Sequence, residues 1–421
     1  MEKHDESTVG FSYPVESALL NSPQVGPLSP EESRGFTEAG EAVGPRRRPA
    51  RRREREIVQE MLSCADIEVG GKRPWDLEVK NEDFYQRVLA HGSLGFGESY
   101  MDGWWECNAL EEFSNRIQSA DLESKIRFNM KALITLVANR SLNFQSRSRA
   151  FQVGKVHYDI GNDLYREMLD RRMIYSCAYW KESKDLDEAQ EAKLELICRK
   201  LMLKRGMRVL DIGCGWGGFA IYAAQKYGVE VVGITISKEQ FGLARKLAKD
   251  YPVRILLQDY RDLEGRFDRI VSLGMVEHVG YQNYRIFMEK VSQCLGQDGI
   301  FLLQTIGSSS TYYTTDPWTE KYIFPNGKIP SLTQLSKAAE GLFVIENIHN
   351  IGPHYEPTLL AWSENFERAR SLPEAIYDGR FRRMWKYYLR MSAGAFRARR
   401  LQVFQLVMTH AGKSGRPGAG F

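Results

Sequence analysis

The stretch Val209-Leu-Asp-Ile-Gly-Cys-Gly-Trp-Gly-Gly218 constrains this chain more than any other. Its apolar start, bounded by a glycine turn, reads as a buried strand over 208–212. Gly213, Gly215 and Gly217 then fall at alternate positions. That spacing predicts a sharp turn that lets a ligand approach the backbone and opens a helix from about Trp216. Asp211 closes the strand just before the turn. A glycine turn between a strand and a helix N-terminus suits a nucleotide-like ligand at the carboxyl end of a parallel sheet. The spacing is not G-x-G-x-x-G followed by an acid on the next strand, so it does not predict a dinucleotide. Taken alone, such a turn also serves simply to pack a helix on a sheet.

The surrounding pattern places the turn in a larger scheme. Strands are predicted at 208–212, 229–233, 253–257, 268–272 and 299–304, with helices over 216–227, 238–250 and 283–295. A helix over 186–203 precedes them, with Leu194, Ile197 and Leu201 on one face. Such alternation predicts an α/β, doubly wound sheet with parallel pairing and right-handed crossovers. Segments 343–351, 359–370 and 401–409 are expected to supply closing strands and a helix. In this setting the glycine block resembles motif I of class I S-adenosylmethionine (SAM) methyltransferases. The expected fold is therefore that Rossmann-like sheet with a small helix-rich N-terminal domain.

The 421 residues suffice for one large domain and a smaller one. Residues 1–56 are rich in proline and glycine without sustained periodicity and read as an unfolded tail. Arg46, Arg47, Arg48, Arg51, Arg52, Arg53 and Arg55 arrive together near its end. That cluster reads either as an anion-attracting patch or as a solvated linker. Residues 57–145 read as a helix-rich, lipid-engaging domain: a helix over 57–64, another over 84–89, the aromatic block Gly95–Trp105, and helical stretches over 110–137. Its rings read as core, or as groups at a membrane interface. Residues 139–149 read as a linker, and 146–421 as the catalytic domain. No apolar run approaches the roughly 20 residues that cross a bilayer. The N-terminus lacks a signal peptide's pattern. Six scattered cysteines predict free thiols in a reducing compartment, with no structural metal. A net charge of +4 does not imply a nucleic-acid partner. The expected location is cytoplasmic.

Candidate ligand residues recur after successive strands. Gly233-Ile-Thr-Ile-Ser-Lys-Glu-Gln240 follows the second, with Thr235 and Ile236 where many SAM enzymes place a ribose-binding acid. Gln240 is then the residue to reach the ribose. Asp259 and Tyr260 follow the third strand, one to accept from the adenine amino group and the other to lie along the base. Glu277 follows the fourth, flanked by Met275, Val276 and Val279, a setting in which burial tunes proton affinity.

Further blocks complete a resemblance. They are Gly95–Cys107, His157-Tyr-Asp-Ile-Gly-Asn-Asp-Leu164, Tyr175-Ser-Cys-Ala-Tyr-Trp180, Gly274-Met-Val-Glu-His-Val-Gly280, Phe324-Pro-Asn-Gly327 and Tyr387–Arg399. With the glycine block they closely resemble the cyclopropane-fatty-acid-phospholipid synthases, over about residues 57–410. The resemblance implies SAM as methyl donor, with Tyr175 and Ser176 added to its site, and a phospholipid carrying a cis-unsaturated acyl chain as substrate. It implies peripheral attachment to the inner face of the membrane and homodimerisation. The implied mechanism is attack of the olefin on the sulfonium methyl, leaving a carbocation whose new methyl loses a proton to bound bicarbonate as the ring closes. The implied bicarbonate cage is Cys177, Glu277, Tyr355 and the backbone at Ile306.

Two departures stand out. Gln304 replaces the family's usual histidine; its amide donates a hydrogen bond but does not relay a proton near neutrality. Ser392 stands where many relatives carry a cysteine once assigned as catalytic. It is read mainly as structural, because this chemistry needs no covalent step. Two alternatives follow: a SAM methyltransferase that acts on a lipid or small amine without ring closure, and an inactive lipid binder that retains SAM affinity.

Overall fold

The computed structural model describes residues 48–120 and 161–412. α1 (Arg48–Ser63) begins inside the arginine cluster rather than at Ile57, so the expected tail boundary falls within a helix. Val58 and Leu62, one turn apart, bury its inner face. β1 (Glu78–Val79) leads to α2 (Asp83–Met101), which kinks at Gly92 and absorbs most of the aromatic block expected to follow a shorter helix. β2 (Trp105–Glu106) pairs antiparallel with β1 and precedes α3 (Leu110–Ser119). The expected helical continuation to Val137 and the linker at 139–149 lie outside the described residues.

α4 (Asn162–Met168) and α5 (Leu186–Lys200) lead into the sheet, and the Asp185 carboxylate caps α5 by accepting from the Glu188 amide. There follow β3 (Arg208–Ile212), α6 (Gly218–Tyr227), β4 (Glu230–Thr235), α7 (Lys238–Leu247), β5 (Val253–Leu257), β6 (Phe267–Leu273), α8 (Tyr284–Cys294) and β7 (Leu295–Gly307). α9 (Pro317–Tyr322), α10 (Leu332–Ala339), β8 (Phe343–Asn350), α11 (Tyr355–Arg368), α12 (Gly379–Arg397) and β9 (Gln402–His410) come last. The sheet order is β5-β4-β3-β6-β7-β9-β8. The first five strands are parallel, while β9 runs antiparallel between β7 and β8. The chain winds outward from β3 to β5 and returns to β6 on the other side of β3. The switch point therefore lies at the carboxyl ends of β3 and β6, where such sheets bind ligands.

Side chains of alternate strand residues face opposite layers. Leu302 and Val407 pack under α5 and α6, while Phe301 and Leu303 face α8 and α10. The N-terminal helices share one core with α11 and α12, in which Trp105, Phe113, Trp362 and Trp385 are fully buried. Of the two readings of the aromatic block, Tyr100 and Trp105 take the core one. α12, which the sequence pattern did not predict, is clamped on both sides. Arg390 pairs with Glu111 of α3 and Glu367 of α11, and Arg397 with Glu112 and Glu356. Gly394 lies at the crossing with α3, where a Cβ would collide with the Glu111 carbonyl.

Candidate active site

The glycine turn is held by its neighbours. Gly213 has φ of +80°, and a Cβ there would lie 2.8 Å from the Met275 side chain, so conformation and space both require glycine. The Gly213 and Cys214 amides donate to the Ile234 carbonyl at 3.0 and 2.9 Å, pinning the turn to β4. Gly215 and Gly217 also lie at positive φ. Trp216 donates through Nε1 to Asn162 Oδ1 at 2.8 Å, which joins the turn to α4. The ring of Tyr165 lies between those of Trp216 and Tyr175.

Beneath the turn Asp211 is 1% exposed and its Oδ2 has no partner. Burial pushes its carboxyl up to about 7, opposed by the charge of Lys193. Lys193 is itself fully buried and donates to Ser176 Oγ at 2.9 Å; burial lowers it to about 8, opposed first by Asp170. Gln190 Nε2 donates to the Ser176 carbonyl at 2.9 Å. Two side chains of α5 thus fasten the Tyr175–Cys177 segment below the turn. Neither was legible in the sequence, because a lysine or glutamine on a helix ordinarily reads as its wet face. A buried carboxylate oxygen without a partner, under a turn closed to side chains, fits the polar donors of SAM.

The residues after β4 and β5 divide. Thr235 Oγ1 donates to Gln240 Oε1 at 2.8 Å, leaving the Gln240 amide nitrogen for a ligand hydroxyl. Ile236 is 76% exposed. Asp259 remains partly exposed, its carboxylate accepting from the Arg261 amide at 2.9 Å. Tyr260, expected along the base, is buried with its ring edge-on to Phe287 at 5.4 Å.

The second half of the site lies beside β6 and β7. Glu277 sits in a short 3-10 turn after β6; its Oε1 accepts from the Ile306 amide at 2.7 Å, and its buried Oε2 has no partner. Of the Ile306 backbone, named as a whole for the implied cage, the N–H is engaged by Glu277. Burial pushes the Glu277 carboxyl up to about 7, against the pull of hydrogen bonds that include the Ile306 amide. The Phe324–Gly327 turn supports the site from outside: the Lys328 amide donates to the Glu277 carbonyl at 2.8 Å. Tyr355, at the start of α11, is buried within electrostatic reach of Cys177 and Glu277, and burial holds its phenol well above the usual range. Cys177 is 1% exposed and donates to the Ala178 and Ile351 carbonyls; burial raises its thiol, which stays protonated at neutral pH. Gln304 is buried and accepts at Oε1 from Gln405 Nε2 at 2.9 Å. Ser392 is half-buried on α12, next to the Ala393-Gly394 contact with α3 and away from any described polar partner.

Aromatic rings line the space between these groups. Tyr175 bonds the Tyr388 hydroxyl at 2.9 Å and lies 5.1 Å from the Trp362 ring. Tyr355 packs on Phe396, and Phe324 bridges His278 and Tyr388. Tyr165, Trp216, Trp362 and Tyr388 were not singled out from the sequence, where each ring reads equally well as plain core.

The switch-point site and the sheet order define a class I SAM-dependent methyltransferase. Residues 145–406 match the model of the mycolic acid cyclopropane synthetase family, and the chain belongs to that family of enzymes. The cyclopropane-fatty-acyl-phospholipid synthase of Escherichia coli is 52% identical over 359 residues, 85% of this chain and 94% of that protein. The tuberculostearic acid methyltransferase UfaA1 of Mycobacterium tuberculosis is 33% identical over 350 residues, 78% of this chain and 81% of that one. A crystal structure of the mycolic acid cyclopropane synthase CmaA1 with SAH and CTAB aligns at 32% identity and a TM-score of 0.57, over 62% of this chain and 97% of that chain.

Proposed function

We propose that this enzyme transfers a methylene from SAM to the cis double bond of a phospholipid acyl chain, with bicarbonate taking the proton released as the cyclopropane ring closes. The observation that carries this reading is the half-satisfied Glu277 carboxylate. One oxygen is filled by the Ile306 amide, and the other is buried and lacks a donor. A buried acceptor of this kind calls for a hydroxyl. The bicarbonate O–H meets that need and leaves the anion's remaining oxygens for the Tyr355 hydroxyl and the Gln304 amide, with the Cys177 thiol alongside, its hydrogen turned to backbone carbonyls.

SAM, placed by Asp211, the glycine turn, Gln240 and Asp259, supplies an electrophilic methyl. The protein's own part is alignment and dryness. An alkene is a weak nucleophile, so its carbons must be held in line with the methyl and water must be kept from the cation. The rings of Tyr175, Trp362, Tyr388 and Phe324 exclude water and offer negative faces to positive charge. Glu277 accepts from the bicarbonate hydroxyl and so raises the basicity of the anion. Bicarbonate held by Glu277 and Tyr355 would supply the base for the proton of the transferred carbon, whose C–H electrons would close the second ring bond, with S-adenosylhomocysteine as the leaving group.

The substrate's place in a bilayer fits the surface at the site's mouth. Ile236 after β4, Tyr281 after β6, and Tyr312 and Tyr313 after β7 are all exposed, and the Tyr281 and Tyr313 rings touch at 5.2 Å. Among the described residues no helix is long and apolar enough to cross a membrane, so this reading has the enzyme engage lipid from one side. A second reading, methyl transfer without ring closure, is favoured by Gln304, which cannot titrate, and by the name of the tuberculostearic acid relative. Mass spectrometry of acyl chains from a host lacking the activity separates the two. A gain of one methylene with loss of the olefin is expected; a gain with the double bond retained would establish the second reading.

A further inference from the structure

Behind the site, a line of polar side chains crosses three strands on one face of the sheet. Gln304 of β7 stands directly opposite Gln405 of β9, and Gln405 directly opposite His349 of β8. Lys200, the last residue of α5, reaches down onto this line. Its Nζ donates to Gln405 Oε1 at 2.9 Å and meets His349 Nδ1 at 3.1 Å. Gln405 Nε2 then donates to Gln304 Oε1 at 2.9 Å. Lys200, Gln405 and Gln304 are at most 5% exposed.

The order of donors in this line follows from one group. A lysine ammonium only donates. Facing it, Gln405 must present its carbonyl oxygen, which turns its nitrogen toward β7. Gln304 must then receive that N–H on its own oxygen, leaving its amide nitrogen as the free end. Among the described residues that nitrogen meets no acceptor. Gln304 lies two residues, one step on the same strand face, from Ile306, whose amide holds Glu277. Burial lowers Lys200 to about 8, so at neutral pH it is still mostly the donor-only ammonium.

We propose that Lys200, acting through Gln405, is a positioning residue that keeps the nitrogen of the Gln304 amide, rather than its oxygen, toward the anion beside Glu277. The inference rests on the bicarbonate reading above. It explains how an amide serves where a titrating ring is usual: both ends of a glutamine have nearly the same shape, and only an anchor of one polarity makes it a dependable donor.

The test is the bicarbonate dependence of initial rates for the full chain. Vesicles of cis-monounsaturated phosphatidylethanolamine and phosphatidylglycerol serve as substrate, with SAM saturating. K200M removes the anchor. Q405E keeps an ionic partner for Lys200 but offers Gln304 only acceptors, which turns the Gln304 nitrogen away from the anion. Each should raise the KM for bicarbonate by roughly ten- to hundred-fold, the loss of one hydrogen bond to a charged group. The dissociation constant for SAM should stay unchanged, and K200R, still donor-only, should recover most of the wild-type KM. Should K200M fail to fold, Q405E decides, because it leaves Lys200 in place and gives its ammonium a carboxylate partner. Wild-type dependence on bicarbonate with unchanged KM in Q405E and K200M, and losses only in kcat or Tm, would overturn the positioning role. A wild-type rate indifferent to bicarbonate would instead overturn the reading of Glu277, and this inference with it.

Discussion

At the scale of single residues, two carboxylates displaced from their ordinary range carry most of the argument. Glu277 touches the proposed anion but nothing of the SAM cradle, so its role separates cleanly by substitution. Glu277→Gln is expected to lower turnover by at least about a hundred-fold, while calorimetry finds SAM affinity unchanged; equal loss of both would place Glu277 in the SAM site. Asp211 makes the opposite prediction. Its carboxyl is raised from 3.8 to about 7 by burial, so the folded state favours the neutral acid. The stability this contributes is full below about pH 4 and is lost as pH rises to 7. Asp211→Asn should therefore stabilise the ligand-free protein at pH 8 by on the order of 2–4 kcal/mol. Thermal melts should show that gain shrinking toward pH 5, with SAM binding weakened throughout. A variant no more stable than wild type at pH 8 would mean that the buried carboxylate is compensated in the ligand-free protein.

At the scale of elements, α12 does the most to join the two ends of the chain. It carries Tyr388 to the site, and it is seated by Gly394 against α3. Gly394→Val forces the helices apart or a backbone shift, and should cost roughly 2–4 kcal/mol. Denaturant unfolding measures that loss, and a loss of activity in excess of unfolding should accompany it as Tyr388 moves. The elements also show what a sequence reveals of a fold. β3 and β5 match their expected ends because short apolar runs there stop at turn residues on both sides. β7 does not: Gly296-Gln-Asp-Gly299 looks like a turn, yet the strand runs from Leu295 to Gly307 with an irregular register against β6. α12 escaped because arginines are interleaved with Phe381, Trp385, Tyr387 and Tyr388 along it, and several of those arginines pair with carboxylates of neighbouring elements rather than facing solvent. Lys193, Lys200 and Gln405 escaped for a related reason. Local pattern assigns such residues to the surface, and only the assembled sheet shows them pointing inward at one another.

At the scale of the whole molecule, the described residues from Arg48 onward form one compact unit. One core cluster runs from Val58 of α1 to Val403 of β9. Expected domain boundaries near 57 and 145 describe segments of sequence, while the hydrophobic core links both. Calorimetry of the ligand-free chain should accordingly show a single cooperative transition, with the N-terminal helices melting together with the sheet. A separate low-temperature transition removed by deleting residues 48–120 would show the two to be independent. In outline, the residues singled out beside β6 are near one another: Tyr355 lies within electrostatic reach of Cys177 and Glu277. What periodicity alone did not reveal was their support from across the sheet.

β9 is the last strand of the sheet to be synthesised, yet it fills the slot between β7 and β8. Until it emerges from the ribosome, β7 has an open edge of unpaired amides and carbonyls, beside Gln304 without its partner. β7 therefore waits, incomplete and prone to join other chains, while residues 308–401 are made. Activity should appear only after residues 402–410 have left the exit tunnel, and a nascent chain stalled before them should need a chaperone to remain soluble.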